Sequence, residues 1–318
     1  MASITTLDPD IAVAGYKRRG SSQLLPSLTP KLITGLVLSG SIIIFGLVWP
    51  HFVGDPGKIN DIGLAGPGPG HILGTTQTGQ DVFSQLAYAT RGSLIIGFLV
   101  GILAMILSGF FGIVGAYAGG LIDDSFALFT NVMLVIPGLP LVIVISSYVP
   151  DKSIYLIAGV LALTSWAGGA RVLRSVTLSL RNRDYVAASR VSGEKVWRTL
   201  LVEILPNLVP VMASQFIFAI IFAILGEAGL SFIGLGASGD WTWGTMLFYA
   251  ENGLALRLNA WWWFIPPGLL IAVFGAALTL INFSIDEIIN PKLRDQTHSA
   301  RKKWQLSKSE LKNLEDVR

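Results

Sequence analysis

The chain has no cysteine, few histidines and little charge. Charged residues make up 14% of its 318 residues, whereas a soluble domain carries roughly 25%. Without cysteine, neither a disulfide nor a zinc–thiolate site can form. The three histidines, His51, His71 and His298, are scattered and give no support to a histidine metal cluster. A soluble protein of this length needs a charged surface that this chain cannot supply, so lipid is the expected solvent for much of it.

The sequence also lacks the GxxxxGK[ST] loop with which many nucleotide hydrolases hold phosphate. No apolar segment carries paired acids, a histidine cluster or a nucleophile beside its base. A membrane enzyme is therefore the weakest of the functions considered. Any work driven by ATP has to come from a separate protein.

Apolar residues are what the sequence has in abundance: they form 52% of the chain, and the mean hydropathy is +0.62. A spanning helix needs about 20 mostly apolar residues, and its backbone groups must bond within the segment because lipid offers no partner. The alternation typical of β-barrel strands is not seen. We therefore predict an all-α membrane protein with six transmembrane helices, at residues 32–49, 93–118, 125–149, 154–170, 209–230 and 262–285.

Lys and Arg are distributed unevenly between the connections. Four lie in the N-terminal tail, seven between spans four and five, eight in the C-terminal tail, and four in the remaining connections. Cytoplasmic segments are enriched in these residues, so we predict that both termini are cytoplasmic. The predicted organisation is a cytoplasmic tail 1–31, a first helix 32–49 retained rather than cleaved as a signal, an extracytoplasmic segment 50–92, a core transmembrane domain 93–290 with a cytoplasmic loop 171–208, and a cytoplasmic tail 291–318.

The basic loop carries the most informative motif. Residues 184–193 read DYVAASRVSG, and a Leu205–Pro206 pair follows. Small side chains at 187–189 let a helix lie close to another surface, Gly193 can turn the chain, and Pro206 marks a break or a new helix start. These features predict a short helix, a turn and a second helix on the cytoplasmic side. On composition alone, a plain basic loop held by anionic lipid headgroups is an equal alternative.

Further motifs occur in a fixed order along the chain: LGTTQTGQDVFS at 73–84, RGSL at 91–94, IPGL at 136–139, EAGLSFIGLG at 227–236, WG at 243–244 and NPKLR at 290–294. Together with the loop they resemble the dipeptide and oligopeptide permeases, of the DppC/OppC type, among bacterial ABC importers. In the loop, Ala188, Gly193 and Leu205–Pro206 match the EAA motif of that family, whereas Ala187 and Ser189 replace its usual glutamate and second alanine.

The resemblance implies a type I ABC importer permease fold, a multi-pass location in the cell membrane, and half of a translocation pathway without enzyme activity. The implied partners are a second homologous permease in a heterodimer, two ATP-binding-cassette ATPases, an extracytoplasmic substrate-binding protein and the lipid bilayer, but no nucleic acid. This chain would bind no cofactor, since ATP and Mg are bound by the ATPases. Dipeptides or oligopeptides are the implied substrates, with oligosaccharides, nickel chelates and glutathione as alternatives. A secondary transporter or channel is the alternative of another class, for which Glu227 alone is thin support.

Two sets of functional residues follow from the resemblance. Contact with the ATPase is predicted for Asp184, Tyr185, Ala187, Ala188, Ser189, Arg190, Gly193, Leu205 and Pro206. A pathway or gate is predicted at Pro137, Pro140, Glu227, Ser231 and Phe232. The two prolines should kink span three because each removes a helix hydrogen bond, and the kinks fit a cavity wall that moves or a static shape equally well. Glu227 either binds a substrate amine or makes a structural hydrogen bond to the turn at 231–236. No metal-binding or catalytic residue is predicted.

Structural roles are expected for three other groups. Asp123 and Asp124 should cap the start of span three. Asp286 and Glu287 should be solvated at the end of span six. The tryptophans of the outer side should lie at the membrane interface, with substrate passage or docking of a binding protein as the alternative; they are Trp241, Trp243, Trp261, Trp262 and Trp263.

Overall fold

The structure, a computed structural model, describes residues 29–149 and 152–289. Five helical units in these ranges are long and apolar enough to cross a bilayer, and a bent pair of helices makes a sixth if it counts as one span. The β pairing within the same ranges is limited to isolated bridges. The prediction of an all-α membrane protein is therefore confirmed. The NPKLR motif, the tail 291–318 and most of the tail 1–31 lie outside the described residues.

The helices follow the chain in this order: α1 (Pro30–Val48), α2 (Val82–Gly109), α3 (Gly115–Ala118), α4 (Gly120–Val135), α5 (Gly138–Tyr148), α6 (Ile154–Arg181), α7 (Asp184–Val191), α8 (Val196–Arg198), α9 (Leu205–Phe232), α10 (Trp243–Asn252) and α11 (Trp261–Ile289). A π-helical turn at Phe110–Val114 joins α2 to α3, and another at Thr199–Ile204 joins α8 to α9. Residues 82–118 and 196–232 consequently form two near-continuous helices of 37 residues each.

Helix α2 begins at Val82, well before the predicted second span. Its N-cap is Asp81, whose carboxylate accepts hydrogen bonds from the backbone N and the Oγ of Ser84 at 2.8 and 2.7 Å. The first turns of α2 also contain Gln85 and Thr90, which are buried inside the bundle. These polar side chains weaken the apolar signal of the sequence although they face protein. The helix therefore begins before residue 93, the predicted start of span two.

The predicted third span is broken at Pro137. Helices α4 and α5 are bent by 74° relative to each other, and Ile136 and Pro137 between them have extended backbone. The proline explains the break, because the residue before a proline is disfavoured in helical conformation. Pro140 lies in the first turn of α5, where its missing N–H costs no helix bond. The predicted kink is confirmed, and Pro137 is its cause.

Helix α6 and the 196–232 unit, which residues 182–195 connect, are both longer than a membrane span requires. Helix α6 has 28 residues and the 196–232 unit has 37, which correspond to about 42 and 55 Å, whereas the hydrocarbon core is about 30 Å thick. The predicted fourth span ended at Ala170 because arginines interrupt the apolar run there. The helix itself continues to Arg181. The predicted loop 171–208 is therefore largely helical, and some of its side chains, such as Leu173 and Val186, are buried against other helices.

Small residues allow the helices to pack closely. Helix α2 packs against α6, α9 and α1, and α11 packs against α1 and α9. A Cβ atom at Gly112 would lie 2.5 Å from the carbonyl oxygen of Ala170 on α6. Close backbone approach of this kind substitutes for the hydrophobic effect, which does not act between helices in lipid.

The carboxylates at the end of α11 are not simply solvated, contrary to expectation. Asp286 accepts a hydrogen bond from Ser214 Oγ of α9 at 3.2 Å. Glu287 forms an ion pair of 3.2 Å with Lys31 of α1. These contacts join the end of α11 to α9 and to the start of α1.

Candidate coupling elbow and membrane clefts

The elbow, residues 184–206, connects α6 to α9. Helix α7 ends in a tight turn, in which the backbone N atoms of Ser192 and Gly193 donate to the carbonyl oxygens of Ala188 and Arg190 at 3.0 and 3.1 Å. Gly193 has a φ of 73°, in the left-handed region that favours glycine. The predicted arrangement of helix, turn and helix is confirmed.

The sequence offered two expectations for Pro206, a break in the helix or a new helix start. The structure has no break at this residue. The chain winds from α8 through the π-helical turn at Thr199–Ile204 into α9, and Pro206 lies in the first turn of α9. A π-helical turn provides a local change of hydrogen bonding without interrupting the helix axis. The elbow is therefore joined to α9 by continuous helix, so a displacement of α8 is passed to α9.

Val186 anchors the elbow to the bundle. It is the buried residue of α7, and it packs in an apolar cluster with side chains from α2–α3, α6 and α9, namely Ile113, Tyr117, Leu173, Ile204 and Leu208. The Arg190 guanidinium lies 4.9 Å from the centre of the Tyr117 ring, within cation–π distance. The elbow thus rests directly on the ends of three long helices.

Ser189 adds a polar link within the elbow. Its Oγ lies 3.1 Å from the Thr199 Oγ1 and donates to Glu194 at 3.2 Å. Glu194 also forms an ion pair with Arg198. The alanine that the family pattern has at this position could not make these hydrogen bonds. The departure from the pattern therefore gives this elbow an additional connection between its two arms.

The outer surface of the elbow carries an apolar patch that the sequence analysis did not single out. We define this elbow patch as Tyr185, Val191, Val196 and Trp197, all of which are exposed. Val191 is 89% exposed and Trp197 59%. Exposed apolar side chains grouped in a basic, polar region indicate a protein interaction site. The signal in the sequence was the presence of apolar residues on both sides of the turn glycine.

Most of the predicted coupling residues are also accessible on this surface. Asp184, Ala187, Ala188 and Arg190 are exposed, and Gly193 forms the tip of the turn. Leu205, by contrast, is partly buried and packs against the Val186 cluster. Leu205 therefore contributes to the seating of the elbow, and the exposed residues form a surface that a partner can reach.

Asp123 takes a role that differs from the expected helix cap. The N-cap of α4 is Gly119, and no side chain caps this helix. The nearly buried Asp123 carboxylate instead accepts two hydrogen bonds from Arg174 of α6, at 2.6 Å from Nε and 3.0 Å from Nη2. The planar guanidinium matches a carboxylate in this two-point geometry. The capping prediction is wrong because α4 begins at Gly120, which places Asp123 and Asp124 inside the helix rather than at its N-cap.

Two further arginines of α6 contact the same hairpin. Arg171 Nη2 donates to Asn131 Oδ1 at 2.9 Å, and Arg181 Nη1 donates to the Ala116 carbonyl oxygen at 3.0 Å. Together with the Arg174–Asp123 pair they form what we call the arginine clamp. The clamp fixes the α3–α4 hairpin to the part of α6 that leads into the elbow. The sequence analysis attributed these arginines to the orientation of the chain in the membrane. They also stabilise the contact between α6 and the α3–α4 hairpin.

The EAGLSFIGLG and WG motifs meet in one buried polar junction. Glu227 is 1% exposed, and its Oε1 accepts hydrogen bonds from Ser231 Oγ at 2.5 Å and Thr242 Oγ1 at 2.6 Å. The bond from Ser231 is the structural alternative that the sequence offered for Glu227, and the one from Thr242 was not foreseen. Neither Glu227 nor Ser231 lines the two clefts, of about 290 and 370 Å³, between α6 and α9 in the described part of the chain. Their pathway role stays a prediction.

Two of the outer tryptophans lie inside the protein rather than at the membrane interface. Trp243 is fully buried, and its backbone N and its Nε1 donate to Ser93 Oγ and Thr90 Oγ1 of α2 at 2.9 and 3.0 Å. Trp263 is buried as well. The buried hydroxyls of α2 satisfy an indole that the interface would otherwise hydrate. The polar junction thus ties α9 and α10 to α2.

We expect that Gly244→Ala destabilises the protein. A Cβ atom at Gly244 would lie 2.6 Å from Ala228 Cα and 2.7 Å from Ser231 Cβ, and overpacking of this kind costs about 1–3 kcal/mol. The matched control is Gly229→Ala on the same helix as Ala228, where nothing lies within 4 Å of the added atom. Thermal unfolding of the purified protein in detergent should show a lower Tm for the first variant alone. Equal Tm values would contradict the close packing.

Two adjoining clefts, of about 290 and 370 Å³, open between α2, α6 and α9, with α4 also lining the first and α5 the second. They share Thr164, Ser165 and Phe222, and Pro140 lines the second. Gln215 provides an amide in the first. The lining is apolar with a few uncharged polar groups, which allows weak contacts with a polar solute without trapping it. Within the described ranges, no group of three or more His, Cys, Asp or Glu side chains could hold a metal ion.

Comparison with known proteins identifies similar chains. The family described as "binding-protein-dependent transport system inner membrane component" matches residues 108–295. The oligopeptide transport system permease protein OppC of Lactococcus lactis subsp. cremoris is 30% identical, over 74% of this chain and 80% of the relative. The dipeptide transport system permease proteins DppC of Bacillus subtilis and Haemophilus influenzae are 31% and 30% identical, over 72% and 82% of this chain and 71% and 90% of the relatives.

Proposed function

The chain belongs to the family of binding-protein-dependent transport system inner membrane components, which are permease subunits of the cell membrane rather than enzymes, and from this premise we propose that it forms half of the pathway of an ATP-driven peptide importer. A second, homologous permease supplies the other half. Two ATPase subunits bind ATP and Mg, and an extracytoplasmic binding protein delivers a dipeptide or oligopeptide. The similarity to oligopeptide and dipeptide permeases supports peptides over oligosaccharides, nickel chelates or glutathione.

The observation that carries this proposal is the elbow patch. Its side chains are apolar and exposed, while Val186 below them is buried in the bundle. The elbow also lies in the most basic connection of the chain, which the positive-inside bias assigns to the cytoplasm. A separate cytoplasmic ATPase is the partner that such a surface fits. A secondary transporter or channel would give this surface no function.

The structure suggests how movement of the elbow reaches the membrane clefts. The Val186 cluster and the continuous helix through Thr199–Ile204 pass a displacement to α6 and α9. The arginine clamp passes it from α6 to α4, and the break at Pro137 lets α5 change its angle to α4. Helix α5 lines one cleft through Gly138, Leu139 and Pro140. ATP binding would shift the pathway between two states by as much as the ATPase prefers one position of the elbow.

The absence of cysteine makes a direct test possible. A benzophenone–maleimide probe attached to Val191→Cys in the assembled importer is expected to cross-link to an ATPase subunit on illumination. The control is Ile72→Cys, 70% exposed at the opposite end of the bundle, which should label no ATPase. Mass spectrometry of the cross-linked products identifies the partner. A probe at 191 that reaches only lipid, or equal cross-linking from both positions, would contradict the proposal.

A further inference from the structure

A cleft of about 540 Å³ lies at the end of the bundle opposite the elbow. We call it the outer cleft. It is bounded by the first turns of α2, the start of α6 and the segment between α9 and α10, and its volume is in the roughly 300–1,000 Å³ range of small-molecule sites. Its walls contain charged groups of both signs and two aromatic side chains, namely Asp55, Tyr88, Arg91, Asp240 and Trp241.

The opposite charges of the outer cleft do not neutralise each other. Within residues 29–149 and 152–289, the Arg91 side chain makes no hydrogen bond and no ion pair within 4.0 Å. The carboxylates are held by backbone N–H groups: Asp240 Oδ2 accepts from Ile154 at 3.3 Å, and Asp55 Oδ1 accepts from Gly57 at 2.9 Å. The cleft therefore presents a cation and two carboxylates that are separated by more than the distance of an ion pair.

The walls of the outer cleft are fixed relative to each other. A Cβ atom at Gly92 would lie 2.1 Å from the Trp241 carbonyl oxygen, so the segment before α10 runs directly over α2. The hydrogen bond from the Trp243 backbone N to Ser93 Oγ holds the same contact. The backbone segments that carry Arg91 and Asp240 are thus held together before any ligand arrives. Such preorganisation lowers the entropic cost of binding.

We propose that the outer cleft binds the two charged ends of a short peptide on its way into the pathway. Arg91 receives the terminal carboxylate, for which a guanidinium is the best-matched partner. Asp240, with Asp55 beside the same cleft, receives the terminal ammonium group, and Tyr88 and Trp241 contact the side chains. A fully extended dipeptide spans at most about 7 Å. This inference rests on the proposed function and narrows the substrate to peptides with free termini, because an uncharged oligosaccharide would use neither charge.

The test is a thermodynamic cycle in which one change is made in the ligand, one in the protein, and then both together. Binding of L-alanyl-L-alanine and of its C-terminal amide is measured by saturation-transfer difference NMR on the purified complex of permeases and ATPases without the binding protein. Loss of one charge-assisted hydrogen-bonded contact should raise the Kd about tenfold. The amide should therefore bind the native complex about tenfold more weakly than the free dipeptide. The variant Arg91→Gln should bind both ligands equally weakly, since the two changes remove one interaction.

A matched control separates this site from general electrostatics. Arg257 is another exposed cation predicted to face the same side, but it does not line the outer cleft. Arg257→Gln should leave the tenfold preference for the free dipeptide intact. Additive losses in Arg91→Gln, or a native complex that binds the amide as well as the dipeptide, would overturn the inference. The cross-link from residue 191 does not involve Arg91, so these results would leave the proposed function standing.

Discussion

Replacing Gly193 by aspartate is expected to abolish peptide uptake and the stimulation of ATP hydrolysis by the loaded binding protein, while insertion into the membrane is unchanged. Gly193 has a φ of 73°, and nothing lies within 4 Å of a Cβ built there. The side chain would therefore fit, at a backbone cost of about 1–2 kcal/mol. The effect arises at the partner, because the new carboxylate would stand within the elbow patch between Val191 and Val196 and lose its hydration when the ATPase docks.

An unpaired buried charge costs several kcal/mol, and each 1.4 kcal/mol is a factor of ten in affinity. We therefore expect a loss of at least about 100-fold in stimulated ATP hydrolysis, measured with the purified importer in proteoliposomes. The control is Gly193→Asn, which has the same shape and tolerates the same backbone conformation without the charge. It should retain most of the activity. Full activity of the aspartate variant, or equal damage by asparagine, would exclude docking at this turn.

The sequence predicts the elbow well because its determinants are local. A turn glycine, small residues before it and a basic surrounding are visible within about 25 positions, and the structure has the turn at Gly193 as expected. The helix bounds are predicted less well, for one physical reason. Hydropathy measures side chains as if all faced lipid, whereas Gln85 and Thr90 of α2 are buried among other helices. The bounds of an apolar run in the sequence therefore differ from the bounds of the helix wherever the helix contains buried polar side chains.

The contacts between distant parts of the chain could not be predicted. Asp123 and Arg174 are 51 positions apart, and nothing near Asp123 in the sequence distinguishes a helix cap from an ion-pair partner. The same holds for Glu227, whose bond to Ser231 follows from a spacing of four residues, while its bond to Thr242 depends on how α10 folds back. The sequence indicated which residues matter in these motifs, and the fold decides what each of them contacts.

The second prediction with a large expected effect concerns Asp123, the carboxylate in the arginine clamp. Asp123→Asn is expected to reduce peptide uptake about tenfold, while ATP hydrolysis by the complex continues. Removal of one partner from a fully buried ion pair costs about 3–5 kcal/mol, and the cost is smaller here because the Arg174 side chain is 33% exposed. The variant should therefore fold, but α4 would follow the movement of α6 less closely. ATP turnover per peptide transported is the quantity to measure.

Two further variants make this prediction specific. The neighbouring Asp124→Asn removes an exposed carboxylate that makes no hydrogen bond in the described part of the chain, and it should transport normally. The exchange Asp123→Arg with Arg174→Asp rebuilds the pair in the opposite sense and should recover a substantial part of the uptake. A clamp that served stability alone would lower uptake and ATP hydrolysis together. Only a clamp that carries movement from the elbow to the α4–α5 hinge raises the number of ATP molecules used per peptide.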